Sequence, residues 1–465
     1  MSQTASRTRR EGEKIAADLL TAVEERNRHE PEFIQAVRGV LRSIQPVLAK
    51  REDLREHRIF ERLVEPERVI QFRVPWQDDS GEFHVNRGWR VQFSSALGPY
   101  KGGLRFHPSV TLSVLKFLGF EQIFKNALTM LPLGGGKGGC DLDPKGLSDH
   151  EIMRFCQSFM SELYRHVGAD TDVPAGDINV GPREIGYLFG QYKRLGNRFD
   201  GVITGKGDGW GGSKLRPEAT GYGLSYFAAI MLEDHGDTLE GKRCIVSGAG
   251  NVSQYAAKKL IEMDARVIAM SDSSGYIVAE DGLTMDQLEA IMRVKNEQRD
   301  SLESFAADDG DVEFHQREKG SDGTSGFWSI ETDCAFPCAT QNEVGKREAR
   351  ALLDSGVKLI AEGANMPLDA EAMELMRESE VLVGPAKAAN AGGVAVSGLE
   401  MAQNSQRQHW TREDVDERLK AIMRTIHDRC TDAAETYEVK DTYVDGANIA
   451  GFLRVAEAMK AQGLV

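Results

Sequence analysis

The sequence predicts a two-domain α/β chain whose second half is a Rossmann-like, doubly wound parallel sheet. Three observations lead there. From Glu218 onward, helical periods alternate with short apolar runs, the pattern of parallel strands joined by crossover helices. Within that half, Ile245-Val246-Ser247-Gly248-Ala249-Gly250-Asn251-Val252-Ser253 reads as a strand, a glycine turn and the start of a helix. Before it, residues 201–217 collect seven glycines and prolines, the composition of a domain boundary.

Taken in order, residues 11–50 carry two helical stripes, Ile15, Leu19, Leu20 and Val23, then Phe33, Val37, Val40 and Leu41. Residues 69–75 alternate apolar and polar as a strand does, and residues 83–93 suggest a strand pair connected at Gly88. A tight element over 101–106 precedes a helix from Val110 to about Leu128, with Ser109 as its cap. Residues 131–140 read as a glycine-rich turn around Lys137. Further helices are expected over 148–166 and 183–195, separated by a Pro/Gly loop from Asp172 to Gly181. In the second half, a helix over 219–231 leads to strands at 244–247 and 267–270 flanking a helix from Asn251, with later strands at 357–361 and 381–383. Residues 299–328, polar and rich in Gly, Asp and Ser, read as an exposed insertion. Helices follow over 388–404 and 413–434, and a last one over 447–461 is expected to fold back onto the first domain. The domains are accordingly set at 1–212, joined by the C-terminal helix 440–465, and at 213–439.

The 465 residues suffice for two or three domains, and the 41% apolar and 28% charged content is that of a globular enzyme. Lys+Arg of 57 against Asp+Glu of 72 gives a net charge of -15, which argues against nucleic acid or an anionic membrane as partner. The six cysteines are dispersed, and the closest two, Cys334 and Cys338, lack redox or zinc spacing. Reduced thiols, no metal site and, without a membrane-length apolar run or a secretory leader, a cytoplasmic location are expected.

The chemistry concentrates in two places. From Leu97 to Gly139 the cations Lys101, Arg105, Lys116, Lys125 and Lys137 face a single acid, Glu121, which in so acidic a chain implies a local anionic ligand. Gln122 and Lys125 are three apart on the 110–128 helix and share a face, opposite the stripe Phe117, Phe120 and Phe124. Lys137 is surrounded by five glycines. The P-loop pattern fails there, because Leu131 stands six before the lysine and Gly138 follows it. A lysine held against bare backbone loses hydration and proton affinity, which suits acid–base chemistry; the alternative is a solvated turn residue. Asp177, in the Pro/Gly loop, is either a proton carrier or a cap for the helix beginning near Pro182.

The second place is the glycine turn. Gly248 makes the turn and Gly250 admits a pyrophosphate to the helix N-terminus, with Ser253 as the small third residue. Asp272 ends the next strand, as an acid reading a ribose 2′-hydroxyl would. Its neighbours Ser271, Ser273 and Ser274 suit a 2′-phosphate instead. Lys295 and Arg293 on the next helix either supply charge to that phosphate or are solvated surface cations.

With these residues in view, the chain resembles the hexameric glutamate dehydrogenases over nearly its whole length. The segments that carry the likeness are Lys101-Gly-Gly-Leu-Arg-Phe, Gly119-Phe-Glu-Gln-Ile-Phe-Lys125, Pro132-Leu-Gly-Gly-Gly-Lys137-Gly-Gly, Pro174-Ala-Gly-Asp177, Arg216-Pro-Glu-Ala-Thr220-Gly-Tyr-Gly, Ser247-Gly-Ala-Gly-Asn251-Val, Glu362-Gly-Ala-Asn365-Met-Pro and Ser397-Gly-Leu-Glu-Met. The resemblance implies a substrate-binding and oligomerisation domain followed by a dinucleotide-binding domain, and a homo-oligomer, a hexamer. It implies that Lys101 and Ser397 hold the substrate's side-chain carboxylate, Gln122 and Lys125 its α-carboxylate, and the Gly176 carbonyl its amino group. Lys137 would be the catalytic lysine and Asp177 the proton-transfer carboxylate, with Thr220, Asn251 and Asn365 on the cofactor. The implied reaction is the reversible NADP-dependent oxidative deamination of L-glutamate to 2-oxoglutarate and ammonia. The rival readings are NAD use, another amino acid on the same fold, or a silent dinucleotide-binding protein. Asn179, where the family usually has Gly, is a departure that bears on the mobility of the Asp177 loop.

Overall fold

The structure, a computed structural model, describes residues 3–316, 325–440 and 442–464. Packing divides the chain into two compact units, Met1–Arg216 with Val394–Asp416 and Arg429–Val465, and Pro217–Gly393 with Glu417–Asp428. The boundary falls in the expected Gly/Pro stretch. Val394–Asp416, placed by the sequence reading in the second domain, goes with the first, because Gly398 lies against the side chains of Leu131 and Leu133 and Glu400 pairs with Lys206.

The first unit is built on five strands: β1 Arg68–Gln77, β2 Phe83–Ser94, β3 Tyr100–Phe106, β4 Gly135–Cys140 and β5 Asp172–Gly176. Their order is β1-β2-β4-β3-β5, with β3 parallel to both β4 and β5. Three expectations need correction. Gly88 does not connect two strands; β2 runs through it in register with Phe72. A Cβ there would lie 2.5 Å from the Phe72 ring, so the glycine is a seat for an aromatic side chain. The run around Lys137 is a buried strand rather than a turn. Asp172–Gly176 is likewise a strand, and it tolerates Pro174 because it lies at the sheet edge.

The helix Leu112–Leu128 is capped by Thr111, whose side chain accepts from Val114 N, and not by Ser109, which bonds to His107 instead. Its Phe120 meets Phe33 of the helix Pro31–Lys50 edge-on at 5.8 Å, and Gly451 of the C-terminal helix Val444–Gln462 lies against Phe124. The last helix therefore does return to the first unit. Beneath the other face of the sheet, Phe106, Phe155, Phe159, Leu163 and Tyr192 form a fully buried cluster. Each contributes about 1.5–3 kcal/mol by burial.

The second unit carries seven strands: β6 Arg243–Val246, β7 Arg266–Ser271, β8 Gly275–Val278, β9 Glu313–Gln316, β10 Cys334–Phe336, β11 Leu359–Ala361 and β12 Leu382–Gly384. The order is β12-β11-β10-β6-β7-β8-β9, with the first five parallel, as a doubly wound sheet requires. β8 and β9 extend it antiparallel. The expected exposed insertion is thus partly built into the fold, with Leu302, Phe305, Phe327 and Trp328 buried; its residues 317–324 lie outside the described residues. Its few apolar side chains lack a local period, and the strand partner is supplied from outside the segment. Among the described residues no helix is long and apolar enough to cross a membrane.

Candidate active site

Lys137 sits mid-strand in β4, opposite Val91 of β2, and its Nζ donates to Asp177 Oδ1 at 2.8 Å. Asp177 directly follows β5, and its second oxygen accepts from Arg105 Nε of β3 at 2.6 Å. Glycine at 103 makes this approach possible: a Cβ there would meet Gly176 O at 2.7 Å and Asp177 Cβ at 2.8 Å. Burial is the largest influence on Lys137 and lowers its pKa; Asp177 opposes, Arg105 and Arg90 reinforce, and the net shift is downward. For Asp177 burial acts to raise the pKa, but Lys137 and Arg105 together outweigh it and hold the carboxyl well below the usual carboxylate range. The helix Pro182–Gly196 is capped by Glu184, which accepts from Gly181 N at 2.9 Å, so capping is not the role of Asp177. Asn179 adopts φ 58°, a left-handed conformation that asparagine tolerates, and its Nδ2 donates to Phe106 O at 3.0 Å.

Lys101, on β3, is 1% exposed, and its Nζ donates to the Thr204 hydroxyl at 2.8 Å. Among the described residues no carboxylate pairs with it. Burial, then Arg216, lowers its pKa well below the lysine value, with Arg90 and Lys206 adding and Glu400 opposing. Ser397 is equally buried, one turn before Glu400 on the helix Gly392–Gln406. Glu400 holds that helix to the segment after Thr204, pairing with Lys206 Nζ at 2.8 Å and accepting from Gly205 N at 2.9 Å. Arg216 Nε is buried without a hydrogen-bond partner.

Three residues that sequence reasoning did not assign brace this pocket. Arg90 and Asp172, both fully buried, form a two-pronged pair across the sheet, and Arg90 Nη1 also donates to Gly102 O at 3.0 Å. Asn126 accepts from Gln122 Nε2 at 2.7 Å and donates to Lys101 O at 3.1 Å, so it links the helix Leu112–Leu128 to the β3 backbone. Lys125, three residues after Gln122, is half-buried. Lys116 does not join the cluster; its Nζ donates to Asn27 at 2.6 Å and pairs with Glu30.

In the second unit Gly248 takes φ +81°, and a Cβ there would meet Ser253 Oγ at 2.7 Å. Ser253 itself donates to Ser247 O at 2.8 Å, filling the third position of the turn. A Cβ on Gly250 would meet open space, at the N-terminus of the helix Asn251–Glu262. Asn251 Nδ2 donates to Pro217 O at 2.7 Å, Thr220 is half-buried near the start of the helix Ala219–Asp234, and Asn365 accepts from Asn390 Nδ2 at 3.3 Å. Asp272 accepts four hydrogen bonds: from Lys295 Nζ at 2.7 Å, Leu302 N at 2.9 Å, Ser274 N at 2.8 Å and Ser274 Oγ at 2.5 Å. That fills a carboxylate's ordinary acceptor capacity. Arg293 is exposed.

Residues 66–194 match the Glu/Leu/Phe/Val dehydrogenase dimerisation domain, and residues 211–463 match the glutamate/leucine/phenylalanine/valine dehydrogenase family. The chain belongs to this family. An NADP-specific glutamate dehydrogenase of Giardia intestinalis is 56% identical over 96% of the chain and 98% of its own length. That of Escherichia coli (strain K12) is 55% identical with the same coverage. The crystal structure of Plasmodium falciparum glutamate dehydrogenase superposes with a TM-score of 0.93 at 49% identity, covering 98% of this chain and 96% of that one. In this Glu/Leu/Phe/Val dehydrogenase, Lys101, Gln122, Lys125, Lys137, Gly176, Asp177 and Ser397 all lie in the first unit. Thr220, Gly248, Gly250, Asn251, Asp272, Lys295 and Asn365 all lie in the second.

Proposed function

We propose that the chain is an NADP-dependent glutamate dehydrogenase, interconverting L-glutamate with 2-oxoglutarate and ammonia. The observation that carries this reading is Lys101, a buried ammonium answered, among the described residues, by the Thr204 hydroxyl and by no carboxylate. A buried cation left without an anion is costly, and a substrate side-chain carboxylate supplies the missing charge. An apolar side chain of leucine, phenylalanine or valine would leave it uncompensated. The full-length likeness to NADP-specific glutamate dehydrogenases supports the same choice.

Ser397 joins Lys101 on the side-chain carboxylate, Gln122 and Lys125 take the α-carboxylate, and the Gly176 carbonyl accepts from the amino group. The turn at Gly248, the open face of Gly250 and the helix N-terminus at Asn251 fit a dinucleotide pyrophosphate, with Thr220 and Asn365 as further contacts. Lys295 beside Ser271–Ser274 fits a 2′-phosphate, and Asp272 acts by holding Lys295 rather than by reading a ribose hydroxyl. Held by these residues, NADP would supply the hydride-accepting chemistry by which the substrate amine becomes an iminium ion, after the amino group has lost a proton. Lys137, its proton affinity lowered by burial, takes a proton from water as the water oxygen bonds to the iminium carbon. Asp177, kept ionised by Arg105, accepts that proton from Lys137 and delivers it to nitrogen; as the C–N bond breaks and ammonia leaves, the hydroxyl gives its proton back to Lys137 and the carbonyl forms. Run backward, the same steps fix ammonia.

Mixed with 2-oxoglutarate and ammonium, the protein is expected to oxidise NADPH with kcat/KM about tenfold or more above NADH, the value of one charge-assisted contact. No oxidation of NADPH would remove the proposal; equal use of the two would remove the role of Lys295. We also propose a homo-oligomer, a hexamer on the family resemblance. Supporting it, β1 is a ten-residue edge strand with Val69 42% exposed, next to a hairpin whose Phe83 is 79% and Val85 66% exposed. Sedimentation at micromolar concentration should show no monomer.

A further inference from the structure

Lys295 lies in an irregular place. It is the second residue of a π-helical turn, Val294–Gln298, which ends in Arg299 at φ 58°. Such wide turns are not held by intrinsic helix propensity and recur at functional sites. Asp272 fixes the tip of the Lys295 side chain, but something else must fix the backbone that carries it. That element is an amide pair. Gln254 Oε1 accepts from Asn296 Nδ2 at 3.0 Å, and Gln254 Nε2 donates back to Asn296 Oδ1 at 3.1 Å. Gln254 is 1% exposed, and its second amide hydrogen goes to Ala249 O at 2.9 Å, inside the glycine turn. A chain of direct bonds thus runs from the Ala249 carbonyl through Gln254 and Asn296 to the residue next to Lys295. It is fully satisfied, and it joins two sites that a single ligand carrying a pyrophosphate and a 2′-phosphate must fill together.

We infer that Gln254 and Asn296 are positioning residues for coenzyme choice: the pair sets the distance between the pyrophosphate turn and Lys295. The inference rests on the reading of Lys295 as the 2′-phosphate contact. Each acts through the backbone that carries Lys295: Asp272 holds the ammonium, but the turn beneath it has weak internal hold. Because Asn296 is exposed on its outer side and Gln254 is buried, the two can be tested separately.

The test is calorimetric binding of adenosine 2′,5′-bisphosphate and of 5′-AMP to the intact protein and to Asn296→Ala, Gln254→Met and Lys295→Ala. Asn296→Ala is expected to weaken the bisphosphate about three- to tenfold, the range of one or two lost hydrogen bonds, with 5′-AMP unchanged within about twofold. The KM for NADPH should rise in parallel while kcat with saturating NADPH stays near the parent value. Gln254→Met should do the same and also weaken 5′-AMP, since it frees the Ala249 carbonyl. If Lys295→Ala loses bisphosphate affinity and Asn296→Ala does not, the pair has no positioning role and the inference fails while the coenzyme reading stands. If Lys295→Ala itself keeps full affinity, both fall. Equal weakening of the two ligands by Asn296→Ala, with a lowered Tm, would mark a purely structural pair and also overturn the inference.

Discussion

Lys137→Ala is expected to lower kcat for both directions by about 10³-fold or more, within the range lost with a general acid–base group. KM for 2-oxoglutarate should change little, because the proposed carboxylate contacts, Lys101, Ser397, Gln122 and Lys125, are untouched. Loss of the lysine also removes one of the two cations on Asp177, leaving Arg105 as its partner. The carboxylate stays ionised and paired, so the fold should survive with a near-parent Tm. A folded Lys137→Ala protein with turnover within about tenfold of the parent would show that another group activates water. Asp177→Asn is the complementary probe, since it keeps the shape of the side chain and removes only its capacity to carry a proton.

Lys101→Met is expected to separate activity from stability. Activity should fall by about 10²–10³-fold in kcat/KM for glutamate, the cost of removing one partner of a desolvated charge pair, with relative preference moving toward apolar amino acids. Stability should move the other way. Exchanging a buried ammonium that meets the Thr204 hydroxyl but, among the described residues, no carboxylate for a thioether of similar length is expected to stabilise the ligand-free protein by about 1–4 kcal/mol, the range seen when buried charge gives way to apolar packing. The pH dependence follows from the lowered pKa of Lys101 in the fold. Between that value and the ordinary lysine value the unfolded chain binds more protons than the folded one, so stability rises with pH across that window. The methionine variant should lose this part of the slope, whereas the contribution of Lys137 is common to both proteins and cancels in the difference. Urea unfolding at several pH values measures it. A variant that is less stable than the parent and still prefers glutamate would show that Lys101 is already compensated and does not wait for a carboxylate.

The doubly wound sheet, the glycine turn at Gly248 and the cations around Lys101 and Lys137 are legible because each rests on local spacing: alternation of elements, a turn needing φ > 0, or charge standing out in an acidic chain. What could not be read is set by distant segments. β4 hides in the sequence because strand signals come from side chains, and a glycine-rich strand has almost none; it is a strand only because β2 and β3 flank it. The Arg90–Asp172 pair joins residues on β2 and β5, and Thr204 reaches Lys101 from the far side of the first unit's chain. No short-range pattern announces either. Asn126 was visible, next to Lys125 in a motif already singled out, but its role depends on which backbone its amide meets. Asp272 left two readings open in the sequence, a ribose hydroxyl or a phosphate lined by its serine neighbours, because whether an acid is free to accept a hydroxyl depends on how many donors already surround it.

The bare strand around Lys137 has one more consequence, for how such an enzyme can change over generations. Gly135 and Gly138 face first the side chains of Ile123 and Leu104, whereas a Cβ on Gly102 would meet Gly136 O at 1.7 Å and one on Gly139 would meet Arg105 O at 2.2 Å, so those last two positions are closed off by backbone rather than by another side chain. Compensating mutations elsewhere cannot reopen them. The proposed catalytic stretch is therefore fixed at these two glycines, and variation in what the enzyme accepts falls to side chains around it, Lys101 among them with Thr204 and Ser397. The backbone beside Lys137 stays still, while side chains proposed to select the substrate can change even where, as at Lys101, they sit next to a closed glycine.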